Sequence, residues 1–542
     1  MTGSTSAQPP QLQRPEPRIG PGSQPRRAGL VLVALILASS VANVNLSVAN
    51  VALPIIGDEL NASQTALNLV SVGYSLGVAC SVLYFGALGD RHGRKQMLWL
   101  GMALSIPAAI LAATSPTVEV LMAARLFGGL AAGMAFPTTL ALIAALWSGL
   151  ARVKAIALWS ALGGAISALG PLSAGWLLEV LPWGSVFLMT VPLALITLVL
   201  VIVFVPAHVH ETTEPVDNFG GIVSAVFIGA LVLAINFAGV PGQETTAMVL
   251  VLVAGGTGVV FVWRQLRARV PLFDFALAAR PTFWVAAVSG VIVFGSLMGA
   301  MYIGQLFLQN VLNYTPLESG LAILPAVVAL VVAAPLSSRL MGRFGSRATL
   351  LLGFSISLLG FVSMLALWNV GVSYAPIGFS YALIGLGVGL AGTPASNALT
   401  GSVPVHRAGM ASGTADLQRD LGGAIMQSIL GAILSASYAT SIAAAVAAAP
   451  AEVKSQVTHG IQMSLEKSFG SAAALAAQYP EHSDAILAAA RASFLDGADW
   501  AYLTGIIAMF VGALVVWIWF PRHAKEARLM AGYAAEPEQS AF

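Results

Sequence analysis

Apolar residues run through this chain in long unbroken blocks separated by short polar clusters. They do not alternate with polar residues at the periods of a half-buried strand or a surface helix. A helix that crosses a bilayer needs about 20 mainly apolar residues. Blocks of that kind fall at 28–53, 66–88, 96–114, 120–147, 154–178, 185–206, 219–239, 246–263, 282–311, 319–338, 348–368, 374–400, 408–438 and 499–520. The pattern predicts fourteen membrane-spanning helices with mostly short connections. The connections alternate in charge. With both termini cytoplasmic, Arg91, Arg94, Lys95, Arg152, Lys154, Arg264, Arg267, Arg269, Arg280, Arg339, Arg343, Arg347 and Arg407 all fall inside. The outer connections 115–119, 179–184, 240–245, 312–318 and 369–373 hold no Lys or Arg. That asymmetry is the one that orients helical membrane proteins, and moving the count by one helix would scramble it. One outer connection is long, about 438–499. It is Ala-rich and amphiphilic, and is expected to lie over the outer surface as helices or a hairpin.

Composition narrows the class without adding detail. The 542 residues are 57% hydrophobic and 9% charged, against about 25% charged in soluble domains. A net charge of +2 carries little information. The single cysteine, Cys80, excludes an intrachain disulfide and a Cys-rich metal site. Residues 1–27, rich in Pro, Gln and Arg, are expected to form a disordered basic tail and not a cleaved signal. No Ser/His/Asp or metal-ligand constellation and no G-x-x-x-x-G-K-[ST] loop occurs, so neither an enzyme, nor ATP as energy source, nor a cofactor, nor a metal is expected. Nucleic acid is not an expected partner.

The most distinctive polar cluster is Gly86-Ala87-Leu88-Gly89-Asp90-Arg91-His92-Gly93-Arg94-Lys95, with a weaker counterpart at 335–347. A basic hairpin repeated in two halves points to paired helix bundles. The cluster resembles the G-x-L-a-D-R-x-G-R-K loop of the major facilitator superfamily. Further stretches resemble its fourteen-span drug–proton antiporter branch: Asn50-Val51-Ala52-Leu53-Pro54 in the first span, Arg125-Leu126-Phe127-Gly128-Gly129 in the fourth and Gly170-Pro171-Leu172-Ser173-Ala174-Gly175 in the fifth. The run from Trp183 to Pro192, Leu308-Gln309-Asn310-Val311 and Thr315-Pro316-Leu317-Glu318-Ser319-Gly320-Leu321 complete the likeness. The resemblance implies an all-α polytopic fold of two six-helix bundles, 28–206 and 282–520, with two inserted helices in 207–281 and a cytoplasmic tail at 521–542. It also implies alternating access and export of a small molecule against inward proton movement, by a monomer among membrane lipids.

The residues themselves leave choices open. Asp90, Arg91, Gly93, Arg94 and Lys95 form either a solvated, topology-fixing turn or, as the resemblance implies, a gate against the start of the thirteenth span at Ala408-Gly409-Met410, preceded by Arg407. An Asp at a helix N-terminus gains about 0.3–1 kcal/mol, enough to bias a state and weak enough to break each cycle. Gly170, Pro171 and Gly175 shape a kinked packing surface in either reading. A mid-membrane charge costs at least ~2.5–3.5 kcal/mol, which singles out Arg125 and the set Asp416, Arg419 and Asp420. The three share a helix face and form either a self-neutralising cluster or a proton site in which two carboxylates hold one proton. The resemblance places an acid in the first span where this chain has Asn45, which cannot titrate; coupling then moves to Asp416 and Asp420, or weakens. Asn45 is expected to accept from Arg125. Asn50, Tyr74, Tyr302, Gln305, Gln309 and Asn397 are further cavity candidates, with Asn43, Ser47 and Gln427. Three functions stay in view: an exporter of amphipathic drug-like compounds, an exporter of one endogenous metabolite or lipid or a weakly coupled facilitator, and a transporter-like sensor that does not transport.

Overall fold

In the computed structural model the chain is described at residues 25, 27–147, 149–206, 215–238, 240, 242–403, 408–449 and 457–534. Among them every regular element is helical, as hydrocarbon demands of a backbone that must satisfy its own N–H and C=O groups. The main helices are α1 (Ala28–Glu59), α2 (Gln64–His92), α3 (Arg94–Ala113), α4 (Val118–Leu146), α5 (Gly149–Val180) and α6 (Thr190–Phe204) in the first half. Two further helices follow, α7 (Asn218–Phe237) and α8 (Glu244–Arg267). The second half holds α9 (Pro281–Leu306), α10 (Leu324–Leu367), α11 (Tyr374–Gly401), α12 (Ala408–Ala448) and α13 (Ser483–Trp519), followed by α14 (His523–Ala534).

Polar residues at the helix starts satisfy free N–H groups. Ser63 accepts from Ala66 N at 3.2 Å and Thr117 from Val120 N at 3.5 Å. Thr315 and Glu318 exchange bonds of 3.2 and 2.9 Å as a capping box. Gly93, at φ 110, turns the chain from α2 straight into α3. That conformation needs no Cβ, and it explains why the hairpin is so short.

Twelve stretches of the described residues are helical, long and apolar enough to span a membrane. The expected fourteen differ in two places. Helix α5 has 32 residues but is not among the twelve. Pro316–Leu367 counts once, although Gly345 at φ 82 breaks α10 inside it. The expected loop around 339–347 is therefore helical on both sides of one glycine. The long connection after 438 is largely helical too: α12 continues to Ala448, and short helices His459–Lys467 and Phe469–Gln478 precede α13.

Within each half, glycines bring backbones together. A Cβ on Gly77 would lie 2.4 Å from Leu126 O in α4, and one on Gly353 would lie 2.7 Å from Ala391 in α11. The two halves touch differently at their two ends. At the end opposite the Asp90 loop, a Cβ on Gly175 of α5 would fall 2.5 Å from Pro316 O, one on Gly320 would fall 2.7 Å from Pro171 O, and one on Gly431 of α12 would fall 2.4 Å from Asn68 of α2. Lys467 also donates to Asn61 Oδ1 at 2.9 Å across the halves. Toward the Asp90 loop, a Cβ on Gly86 of α2 or on Gly413 of α12 would meet nothing within 4 Å. Among the described residues, the close backbone approaches between the halves lie at the end opposite the Asp90 loop.

Candidate functional site

Two buried charged groups face the seam, one from each half. In the first half, Arg125 is 2% exposed on α4. Its Nη1 donates to the backbone carbonyl of Asn45 at 2.7 Å and its Nε to Val70 O at 3.3 Å. The Tyr74 and Phe187 rings lie 4.8 and 5.7 Å from its Cζ, so aromatic quadrupoles supply part of what a carboxylate would. Asn45 thus receives Arg125 on its main chain. Its side chain turns to Val41 O at 3.0 Å and accepts from Thr190 at 3.4 Å.

In the second half, α12 presents Asp416, Arg419 and Asp420 together. Arg419 reaches across the seam: its Nη2 donates to Asn43 Oδ1 of α1 at 3.1 Å and its Cζ lies 4.7 Å from the Phe136 ring of α4. Its Nε finds no acceptor, and Asp420 Oδ2 and both amide atoms of Gln418 find no partner among the described residues. No ion pair within 4.0 Å joins Arg419 to either aspartate. Asp420 is 4% exposed, whereas Asp416 is half-buried. Tyr74 lies within electrostatic reach of both Arg125 and Asp420. Buried groups without partners are expensive, and here three neighbouring side chains of one helix, Gln418, Arg419 and Asp420, carry them.

The Asp90 loop is internally paired. Asp90 Oδ1 accepts Arg94 Nε at 2.9 Å and pairs with its Nη2 at 2.8 Å, while Arg94 Nη1 reaches Ala141 O at 3.4 Å. Lys95 caps the last turn of α6 through Ile202 O at 2.8 Å, and Arg91 is exposed. Arg407, the basic residue ahead of the thirteenth span, lies outside the described residues.

The other candidates separate by place. Asn50 accepts from Ser71, and Ser71 accepts from Gln427, a chain that runs from α1 through α2 to α12. Gln309 donates to Val51 O at 2.9 Å and Gln64 to Tyr302 Oη at 3.1 Å, so both tie the halves at the closed end. Gln305 is fully buried and donates to Ser319 O at 3.0 Å within the second half. Asn397 is exposed on α11. Gly170 admits Ser47 of α1, whose Oγ would lie 2.5 Å from a Cβ there; beside it, Pro171 and Gly175 face the Pro316–Ala322 turn of the second half. Sequence reasoning missed Gln64, Asn68, Asn236, Gln418 and Ser428. All but Gln64, which lies just ahead of its block, are polar residues inside an apolar block, and that isolation is the available signal.

Residues 35–427 match the Major Facilitator Superfamily. The chain belongs to the major facilitator superfamily. It is a multi-pass membrane transporter of small molecules, not an enzyme. The multidrug resistance protein Stp of Mycobacterium tuberculosis is 30% identical over 504 residues, covering 92% of this chain and 93% of Stp. The multidrug efflux pump LfrA of Mycolicibacterium smegmatis is 30% identical over 402 residues, covering 74% of this chain and 80% of LfrA. Among solved structures, an inward-facing, unoccupied bacterial homologue of the human lysosomal transporter Spinster superposes with TM-score 0.61 at 13% identity, covering 94% of this chain and 98% of that one. That last likeness concerns the fold alone.

Proposed function

We propose that this transporter exports amphipathic, drug-like compounds across the bacterial cell membrane in exchange for protons, by alternating access, as a fourteen-span monomer with both termini cytoplasmic. The observation that carries the reading is the set Asp416, Arg419 and Asp420 on one face of α12, in which Arg419 Nε and Asp420 Oδ2 lack partners while Arg419 Nη2 crosses to Asn43 of the first half. With the basic loops placed inside, the closely packed end of the seam faces outward, and substrate enters from the cytoplasmic end. A proton on Asp416 or Asp420 removes the repulsion between two carboxylates one helical turn apart. Protonation also alters the field felt by Arg419, the charge that crosses to the first half. The names of Stp and LfrA support drug-like substrates.

Asp90, Arg91, Gly93, Arg94 and Lys95 serve as the cytoplasmic gate in this reading. Asp90 rests on Arg94 in the structure. When the cytoplasmic ends meet, Asp90 exchanges that partner for the start of α12. Asn45 favours a second reading, a weakly coupled facilitator, because the first half then offers Arg125 a main-chain carbonyl and no titratable partner.

The test is efflux of ethidium from proteoliposomes under an imposed pH gradient. Wild-type efflux requires the gradient, Asp416→Asn and Asp420→Asn lose that requirement or the efflux itself, and Asp90→Asn slows turnover. Gradient-independent efflux by the wild type favours the facilitator. Failure to move any compound leaves a sensor.

A further inference from the structure

The inserted pair α7 and α8 is not a passive addition beside the two bundles. Helix α7 is fastened to α2 at several levels. Tyr84 Oη donates to Asn218 Oδ1 at 3.1 Å, and Gly221 lies so close to the Tyr84 ring that a Cβ would sit 2.2 Å from it. Ile228 and Val232 share a buried patch with Val72, Leu76, Ala79 and Cys80. Near the closed end, Asn68 Nδ2 of α2 donates to Asn236 Oδ1 at 2.5 Å. Helix α8 follows α7: the buried Asp217, which caps α7 through Gly220 N, accepts Arg264 Nε at 3.1 Å and Gln265 Nε2 at 3.2 Å.

Against the second half, α7 has an apolar contact on α12 around Ala424 and one hydrogen bond, from Asn236 Nδ2 to Ser428 Oγ at 2.6 Å. Asn236 is 0% exposed; its amide oxygen accepts from α2, one N–H donates to Val232 O of its own helix at 3.0 Å and the other to α12, so the departure of Ser428 leaves one N–H unpaired. Apolar helix faces that separate in a bilayer are covered by lipid tails of the same polarity, so their parting is weakly opposed. An amide that loses its partner in hydrocarbon is not compensated in that way.

We propose that α7 travels with the first half and that the Asn236–Ser428 bond is the releasable bolt by which it holds the outer end of the seam closed. The inserted pair therefore sets the balance between the two access states. This inference rests on the alternating-access reading above. Outward opening requires Ser428 to leave Asn236 while Asn68 and Asn218 keep their partners.

Spin labels at Thr65→Cys on α2 and Ser437→Cys on α12, in a Cys80→Ala background in lipid nanodiscs, report the outer-end separation. Wild type gives a short and a long population. Intramembrane hydrogen bonds average about 0.6 kcal/mol, roughly threefold in an equilibrium. Asn236→Ala and Ser428→Ala are expected to raise the ratio of open to closed by about three- to tenfold, and the double variant by no more than the stronger single one. Asn218→Ala loosens α7 from α2 at its other end and leaves the ratio unchanged, which separates a bolt from general loosening of the inserted helix. An unchanged ratio in Asn236→Ala, or an equal rise in Asn218→Ala, overturns the proposal. A wild type with one separation under all conditions overturns alternating access and the proposal with it.

Discussion

The two halves bury charge in different company. Arg125 in the first half is held within its own half: two main-chain carbonyls and two aromatic rings surround it, its Nη2 lacks a partner, and 2% of it is exposed. In the second half Arg419 Nε and Asp420 Oδ2 lack partners too, but there two carboxylates, Asp416 and Asp420, share a helix face with the guanidinium, and Arg419 crosses to Asn43 of the first half. The groups that hold Arg125 all belong to the first half, and none is a carboxylate. A cluster that holds two carboxylates with an unpartnered oxygen is a place where a proton lowers the energy. The proposed coupling therefore falls to the second half, and Arg125 is expected to serve mainly stability.

The comparison breaks most readily at the carboxylates. Replacing both Asp416 and Asp420 by Asn is expected to lower gradient-driven ethidium efflux by about tenfold or more, since an amide cannot take up and release the proton. Thermal stability should hold or rise, because buried charge is removed; a large loss of stability with coupling intact would reverse the assignment. Arg125→Ala should act the other way. It removes the two hydrogen bonds of a buried guanidinium, about 1.5–3 kcal/mol each, and should lower the melting temperature before it alters the gradient dependence of whatever protein folds. Arg125→Lys should rescue this incompletely, because an ammonium does not reproduce the guanidinium fork.

Smaller effects sharpen the contrast. Asn43→Ala removes one bond to Arg419, about 0.6 kcal/mol by intramembrane averages, and should shift the outer-end populations about threefold with unchanged stability. Gly413→Leu faces open space in the present state, so it should leave the melting temperature unchanged. Because the cytoplasmic ends must meet once per cycle, it should nevertheless slow turnover.

Much of this was readable in the chain. Apolar block lengths locate the helices to within a few residues, as with 120–147 against Val118–Leu146. The block method failed where leaving the membrane is not leaving the helix. Arg339, Arg343 and Arg347 end hydropathy but are good helix formers, so α10 runs through them and breaks only at Gly345. The Ala-rich continuation of α12 to Ala448 has the same cause. At the site, charge in an apolar block identifies Arg125 and the α12 cluster without coordinates. What the sequence does not carry is pairing: that Arg125 takes a main-chain carbonyl of Asn45 instead of its amide, that Arg419 crosses to Asn43, and that Tyr302 and Gln305 are spent on bonds within the packed interior. Those depend on which helix faces meet, a property of the assembled halves and not of any one span.

The central claim is that the second-half cluster exchanges protons as the transporter works. Proton release measured with a pH indicator in weakly buffered detergent solution, on adding ethidium to the purified protein, tests it directly. Wild type is expected to release protons on binding, the Asp416→Asn/Asp420→Asn variant to bind ethidium without release, and Arg125→Lys to release like wild type. Undiminished release from the double variant would contradict the account.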